Sequence, residues 1–214
     1  MNSESATIVK VVTILTSFII IIGAYFLLTV PAADKKKYSE KTTENTIDIG
    51  GEVELRNLTG IDENTAIYKG RYRLVYFGFT YCPDICPHAL NIMSETIKIL
   101  DQYRIDIVPI FITIDPHRDT EKLLGPYLSH FHKKIIGYTG TEEQIKNAAD
   151  KFKVYYAKVV RSDAGPEDYL LDHSSFFYFL DTEGKYIKHF SSTASPEEIA
   201  NSINISIKSF KLPQ

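Results

Sequence analysis

The rhythm of apolar and polar positions divides the chain. Val11 to Val30 is twenty residues without a charge, with Phe18-Ile19-Ile20-Ile21-Ile22 inside it. At about 1.5 Å per helical residue that length spans a bilayer core of roughly 30 Å, so a transmembrane helix is expected. From Ile47 the pattern shortens. Gly50-Gly51 and then Val53, Leu55 and Leu58 predict a hairpin turning near 57–60. Arg73 to Phe79 and Ile105 to Ile114 are mostly apolar runs of strand length, the mark of buried central strands. Between them Leu90, Met93, Ile97 and Leu100 fall at helical spacing, predicting an amphipathic helix over 88–103 with Met93 in the core. Residues 119–131 predict a helix with Leu124, Tyr127, Leu128 and Phe131 on one side, kinked or started by Pro126. A weak strand follows at 134–139. Thr141 with Gln144 forms a capping box that opens a helix to Phe152. Residues 154–160 predict a strand, and 161–170, with Gly165-Pro166, a polar loop. Residues 175–180 are an apolar strand, opened by His173. It is joined through a turn at 181–184 to a partner at 186–190. Ser195-Pro196-Glu197-Glu198 supplies an N-cap, a first-position proline and a capping-box glutamate for a last helix that buries Ile199, Ile203 and Ile207.

The order is hairpin, then alternating strands and helices, then an antiparallel hairpin and a final helix. A βαβ unit followed by such a hairpin is the plan of a thioredoxin-like α/β domain, with a mixed sheet flanked by helices. The expected organisation is a short tail at 1–10, a membrane anchor at 11–30, a flexible tether at 31–46 and the folded domain at 47–214. The tether is polar and charged, with Tyr38 its one large apolar side chain.

Composition adds little to this picture. At 44% apolar the chain is that of a folded protein, and a net charge of -3 offers no basic patch for nucleic acid. The leader matters more. A cleaved signal peptide ending near Pro31-Ala32-Ala33 would have an unusually long apolar region. The leader has no Arg and carries Glu4, which argues against a mitochondrial transit peptide and for a bacterial envelope. Lys35, Lys36, Lys37 and Lys41 follow the span and only Lys10 precedes it, so the positive-inside rule alone points the other way, to a cytoplasmic domain.

The candidate chemistry lies in the only two cysteines. Cys82 and Cys86 stand where the strand 73–79 turns into a helix. Helix N-termini favour the thiolate, the form that attacks disulfides and binds soft metals. A structural disulfide this local would stabilise the fold by only ~2 kcal/mol, against about 4–5 for a long loop. Two readings remain. One is a dithiol–disulfide redox pair, with one residue more between the cysteines than the usual motif. The other is a site for Cu(I) or Zn(II), completed by an imidazole. His130 and His132 lie near a helix end and are expected in solvent, as is His189; His88, two residues past Cys86, is a local ligand candidate but is also expected to face solvent. His117, after a strand parallel to the cysteine strand, and His173 are left as equal candidates for the third ligand.

Gly78-Phe79-Thr80-Tyr81-Cys82-Pro83-Asp84-Ile85-Cys86-Pro87, then Ile114-Asp115-Pro116-His117-Arg118-Asp119-Thr120, then Asp172-His173-Ser174 resemble, in that order, the motifs of the Sco/SenC family. The resemblance covers roughly 47–210. It implies a membrane-anchored, thioredoxin-like copper protein, binding Cu(I) and also Cu(II), that serves assembly of the copper centre in subunit II of cytochrome c oxidase. It implies Cys82, Cys86 and His173 as the metal ligands, and so promotes His173 over His117. It implies a domain facing away from the cytoplasm, against the lysine count; with the leader, the expectation is a bacterial inner membrane with the domain facing the periplasm, rather than a mitochondrial inner membrane. The implied partners are oxidase subunit II and a copper donor. A Cys82–Cys86 disulfide would switch metal uptake off. The alternative role is a thiol–disulfide reductase that keeps the oxidase cysteines reduced. Asp84 and Asp172 are candidates to support the ligands, or simply solvated carboxylates.

Overall fold

A computed structural model describes residues 49–160 and 169–211, together with Ile22. The chain separates into two units, Met1–Thr46 and Ile47–Gln214, and apart from Ile22 everything described belongs to the second. The expected anchor at 11–30 and tether at 31–46 lie outside the described residues, as do residues 161–168 of the expected loop. Among the described residues no helix is long and apolar enough to cross a membrane.

The domain is built on a seven-stranded mixed sheet. Its strands are β1 (Glu54–Asn57), β2 (Asp62–Asn64), β3 (Tyr72–Gly78), β4 (Ile107–Thr113), β5 (Ile136–Thr139), β8 (Phe176–Leu180) and β9 (Tyr186–Ser191). They lie in the order β2-β1-β5-β4-β3-β8-β9. The centre is parallel, with β3 on β4 and β4 on β5, and both flanks are antiparallel. β3 and β4 are buried along almost their whole length, as expected of strands covered on both faces. Four helices cover them: α1 (Ile85–Gln102), α2 (Glu121–Leu128), α3 (Glu142–Phe152) and α4 (Pro196–Lys211). On one face Tyr76 stacks near Phe111, which meets Tyr127 of α2. On the other, Phe77 and Tyr178 meet Phe152 of α3. α4 lies against α1, where the Tyr103 hydroxyl donates to Asn201.

Most of the expected elements are present within two or three residues. The Thr141–Gln144 capping box has both of its hydrogen bonds. Leu90, Met93, Ile97 and Leu100 are all buried, and Ile199, Ile203 and Ile207 line the core side of α4. The turn at 181–184 is closed by Gly184, whose φ of +82° favours a residue without a Cβ.

Three expectations need correction. α1 starts at Ile85, not 88. Pro87 sits in its first turn, where the missing N–H would have had no helical partner, so it does not delay the helix. Pro126 does not start α2; it lies inside the helix, the place that its other expected role, a kink, requires. Residues 169–170 are not loop. Tyr169–His173 form a strand, β7, paired antiparallel with β6 (Tyr156–Val160) in a separate two-stranded sheet. His173 therefore ends β7 and does not open β8. Its strand shows a period-two pattern, with Tyr169 and Leu171 buried and Leu170 and Asp172 exposed.

Candidate functional site

The site forms at the C-terminal ends of β3 and β4. Gly78 closes β3, and the chain turns at Phe79, with the Cys82 N–H donating to the Phe79 carbonyl. The turn is pinned from the neighbouring strand. Thr80 donates to Asp119 through both its N–H and its hydroxyl, and Thr113 at the end of β4 donates to the same carboxylate. Burial raises the Asp119 pKa, and the bonds from Thr113 and Thr80 pull it back. The Asp115–Thr120 segment thus frames the cysteine turn structurally.

Cys86 falls in the first turn of α1 and is wholly buried; Cys82 is 8% exposed. The sulfur of Cys86 rests on Gly78: a Cβ there would stand 3.0 Å from Cys86 Sγ and equally close to the rings of Phe111 and Tyr76. Both thiols are free. The Cys86 N–H donates to Cys82 Sγ at 3.3 Å.

His173 arrives from the small sheet. Its Nε2 stands 3.6 Å from Cys86 Sγ, across 87 residues of sequence. Its Nδ1 lies 3.0 Å from the Ser174 carbonyl. A carbonyl can only accept, so the proton belongs on Nδ1 and the Nε2 lone pair faces the thiols. Phe79 and Tyr76 flank the ring edge-on. The hairpin that carries His173 is fastened below. Arg118 donates to Asp115 and to the Tyr169 carbonyl, its guanidinium lies 3.6 Å over the Tyr169 ring, and the Tyr169 hydroxyl donates to Asp115.

The two thiols are unequal. The hydrogen bond from the Cys86 thiol, aided by the N–H groups of Asp84 and Cys86, holds Cys82 at a pKa of about 4, against the opposing effect of burial. Cys86 is driven the other way, by its bond to Cys82 and then by burial. Cys82 is therefore the first thiolate of the pair.

Two thiols and a tautomer-fixed imidazole form a soft donor set. Metal–sulfur and metal–nitrogen bonds of about 2.3 and 2.0 Å at trigonal angles put sulfur and nitrogen roughly 3.7 Å apart. Cys86 and His173 already stand at that separation. Cys82 adjoins them without completing a closed cluster: among the described residues no three Cys, His, Asp or Glu side chains converge as a metal-holding group.

The other histidines lie elsewhere. His117 is exposed and lines a cleft of about 340 Å³ with Glu142, Lys146, Tyr156 and Lys158, which neither cysteine lines. His88, His130 and His189 are exposed; His132 is partly buried, and its N–H donates to Ser94. Asp84 and Asp172 are exposed. Sequence reasoning passed over Tyr76, Gly78 and Ser175. Tyr76 carried a visible signal, being a phenol within the apolar stretch from Leu74 to Phe77 of the central strand.

These features define a class first: an α/β protein of thioredoxin-like plan with a dithiol–imidazole site where a parallel strand meets a helix. The SCO1/SenC family model matches residues 41–208. The chain belongs to that family. It is 47% identical to an SCO2-like protein of Rickettsia felis, over 91% of this chain and 95% of that one. The crystal structure of yeast Sco1 with copper bound is similar at a TM-score of 0.70 and 36% identity, covering 78% of this chain and 91% of that one. BsSco, a member of the Sco family of cytochrome c oxidase assembly proteins in which a disulfide switch has been identified, is similar at a TM-score of 0.59 and 25% identity, over 77% of this chain and 95% of that one.

Proposed function

We propose that this chain is a copper metallochaperone, which holds copper as cargo between Cys82, Cys86 and His173 and delivers it to the copper centre of cytochrome c oxidase subunit II. Residues 11–30 anchor it in a bacterial inner membrane, residues 31–46 tether it, and the domain from 47 onward works in the periplasm. The observation that carries the reading is the 3.6 Å approach of His173 Nε2 to Cys86 Sγ, with Nδ1 held by the Ser174 carbonyl. A buried thiol pair serving redox chemistry alone has no need of an imidazole fixed in its metal-binding tautomer. The copper bound by yeast Sco1 supports the same cargo here. Two thiolates and a neutral imidazole suit Cu(I), and the same set accepts Cu(II). Loading requires the reduced cysteines, and release to the partner proceeds by ligand exchange.

The test is copper titration of the fully reduced chain in detergent beside Cys82→Ser, Cys86→Ser and His173→Ala. One tight copper in the parent, weakened in all three variants, is expected. Affinity untouched by His173→Ala would remove the imidazole from the site, and no tight binding in the parent would overturn the reading. The second reading is a thiol–disulfide reductase acting on the oxidase cysteines. The unequal thiols favour it, since a low-pKa Cys82 suits a nucleophile and a buried Cys86 a resolving partner. A His173→Ala strain that lost copper binding yet assembled the oxidase fully would select it.

A further inference from the structure

Tyr76 is wholly buried in the middle of β3, where a phenylalanine would fill nearly the same space. Its ring is fixed by Phe177 at 5.1 Å and Phe111 at 6.2 Å between centroids. Its hydroxyl, however, reaches the seam between α1 and the His173 segment. It lies 3.8 Å from Cys86 Sγ and 2.9 Å from Ser175 Oγ. A phenol carries one proton, so it donates to one of these partners at a time. While Cys86 is a neutral thiol its sulfur is a weak acceptor and the contact is long, so the proton belongs to Ser175. When that sulfur carries negative charge it becomes the stronger acceptor. The Tyr76 proton then turns to it, and the Ser175 hydroxyl, free to rotate, donates to the Tyr76 oxygen. Neither hydroxyl loses its partner in the exchange.

We propose that the Tyr76 hydroxyl, backed by Ser175, is the hydrogen-bond donor to the charged sulfur of Cys86 whenever that sulfur leaves a disulfide or binds metal. Consider reduction of the Cys82–Cys86 disulfide by dithiothreitol. A thiolate of the reagent attacks Cys82, the better exposed sulfur. The Cys82–Cys86 bond breaks and its electron pair leaves on Cys86, where Tyr76 receives it with a hydrogen bond. The second sulfur of the reagent then displaces Cys82 and closes the oxidised ring. Two electrons pass to the protein; of the two thiol protons of the reagent, one ends on Cys86 and the other is released to the buffer, since Cys82 stays a thiolate at neutral pH. The same hydrogen bond draws electron density from a metal-bound Cys86 sulfur. That second consequence rests on the copper reading; the first does not.

The experiment uses the full chain in detergent. Tyr76→Phe keeps the ring and deletes the hydroxyl; Ser175→Ala deletes its support. Tyr127→Phe is the control, a buried hydroxyl without a hydrogen-bond partner among the described residues. Reduction of the oxidised proteins by dithiothreitol is followed by mass spectrometry after acid quenching. Loss of one hydrogen bond to a charged sulfur is expected to slow Tyr76→Phe about tenfold and Ser175→Ala about threefold, with Tyr127→Phe unchanged. A Tyr76→Phe rate equal to the parent's, or equal slowing in the Tyr127→Phe control, overturns the proposal. If Tyr76→Phe does not fold, Ser175→Ala decides alone: slower reduction supports the proposal and an unchanged rate overturns it. In the Cu(II) complex the sulfur-to-copper charge-transfer band should move to lower energy in Tyr76→Phe and stay in place in Tyr127→Phe. A parent that binds no copper sinks the chaperone reading and leaves the dithiothreitol comparison intact.

Discussion

Cys82 and Cys86 share a turn but not an environment, and the difference should be visible chemically. The Cys82 pKa is depressed from the ordinary thiol range to about 4. Its thiolate is therefore present throughout neutral pH and is lost only as the pH falls through that value. Iodoacetamide should label Cys82 ahead of Cys86, at a rate already level from about pH 5 upward and not climbing toward 9. Peptide mapping after timed quenching checks this, and equal labelling of the two cysteines would contradict it. Gly78 is the other residue whose role is local. A methyl group there meets Cys86 Sγ, Phe111 and Tyr76 at 3.0 Å each, with no flexible tip to give way. Gly78→Ala should cost ~1–3 kcal/mol of stability through overpacking and weaken copper binding by displacing the sulfur. Urea unfolding and copper titration on the same variant separate the two effects.

Among the elements, the β6–β7 hairpin decides the site, because it carries His173 while standing outside the main sheet. Its base is held by Arg118, whose guanidinium bridges Asp115 and Tyr169, with both charged side chains almost fully buried. Arg118→Met leaves Asp115 buried without its cation, a loss of ~3–5 kcal/mol for a broken buried pair. Hydrogen exchange should rise selectively over residues 169–173, and copper affinity should fall although no ligand has changed. Slow exchange there with normal affinity would show that the hairpin is held by something else. The hairpin was also the hardest element to read. Gly165-Pro166 and the charges around them mark a loop, and Asp172 interrupts the apolar run, so Tyr169 and Leu170 merged with the loop before them and His173 with the strand after it. The buried Tyr169 and Leu171 alternating with exposed neighbours were the available signal. Five residues of alternation beside a proline and a glycine carry little weight until a pairing partner is known.

At the scale of the molecule, a ligand gripped by Cys82, Cys86 and His173 would join the first turn of α1 to the small sheet. Binding only the folded state, copper at a hundred times its dissociation constant should stabilise the reduced protein by about 2.7 kcal/mol. Scanning calorimetry of the reduced chain with and without Cu(I) measures it. The gain should vanish after oxidation of the cysteines to a disulfide. A shift that survives oxidation would place the copper elsewhere.

The sequence by itself determined the elements and the thiol chemistry. Continuous apolar runs made β3 and β4 central, helical spacing set α1 and α4, and the Thr141–Gln144 pair started α3 where it was expected. Each of these is a local preference that survives packing because the packing agrees with it. Two cysteines at a strand–helix junction were likewise visible as a reactive pair. What the tertiary structure decided was everything that depends on distance between remote residues. Sequence patterns gave His117 and His173 equal standing, the family resemblance preferred His173, and the folded chain sets His173 beside Cys86 and His117 on a separate cleft. Pairing of β6 with β7 turned His173 inward, and the crossing of β3 beneath α1 brought the Tyr76 hydroxyl to the sulfur. Contacts across 87 residues follow from topology and close packing, which no periodicity along the chain encodes.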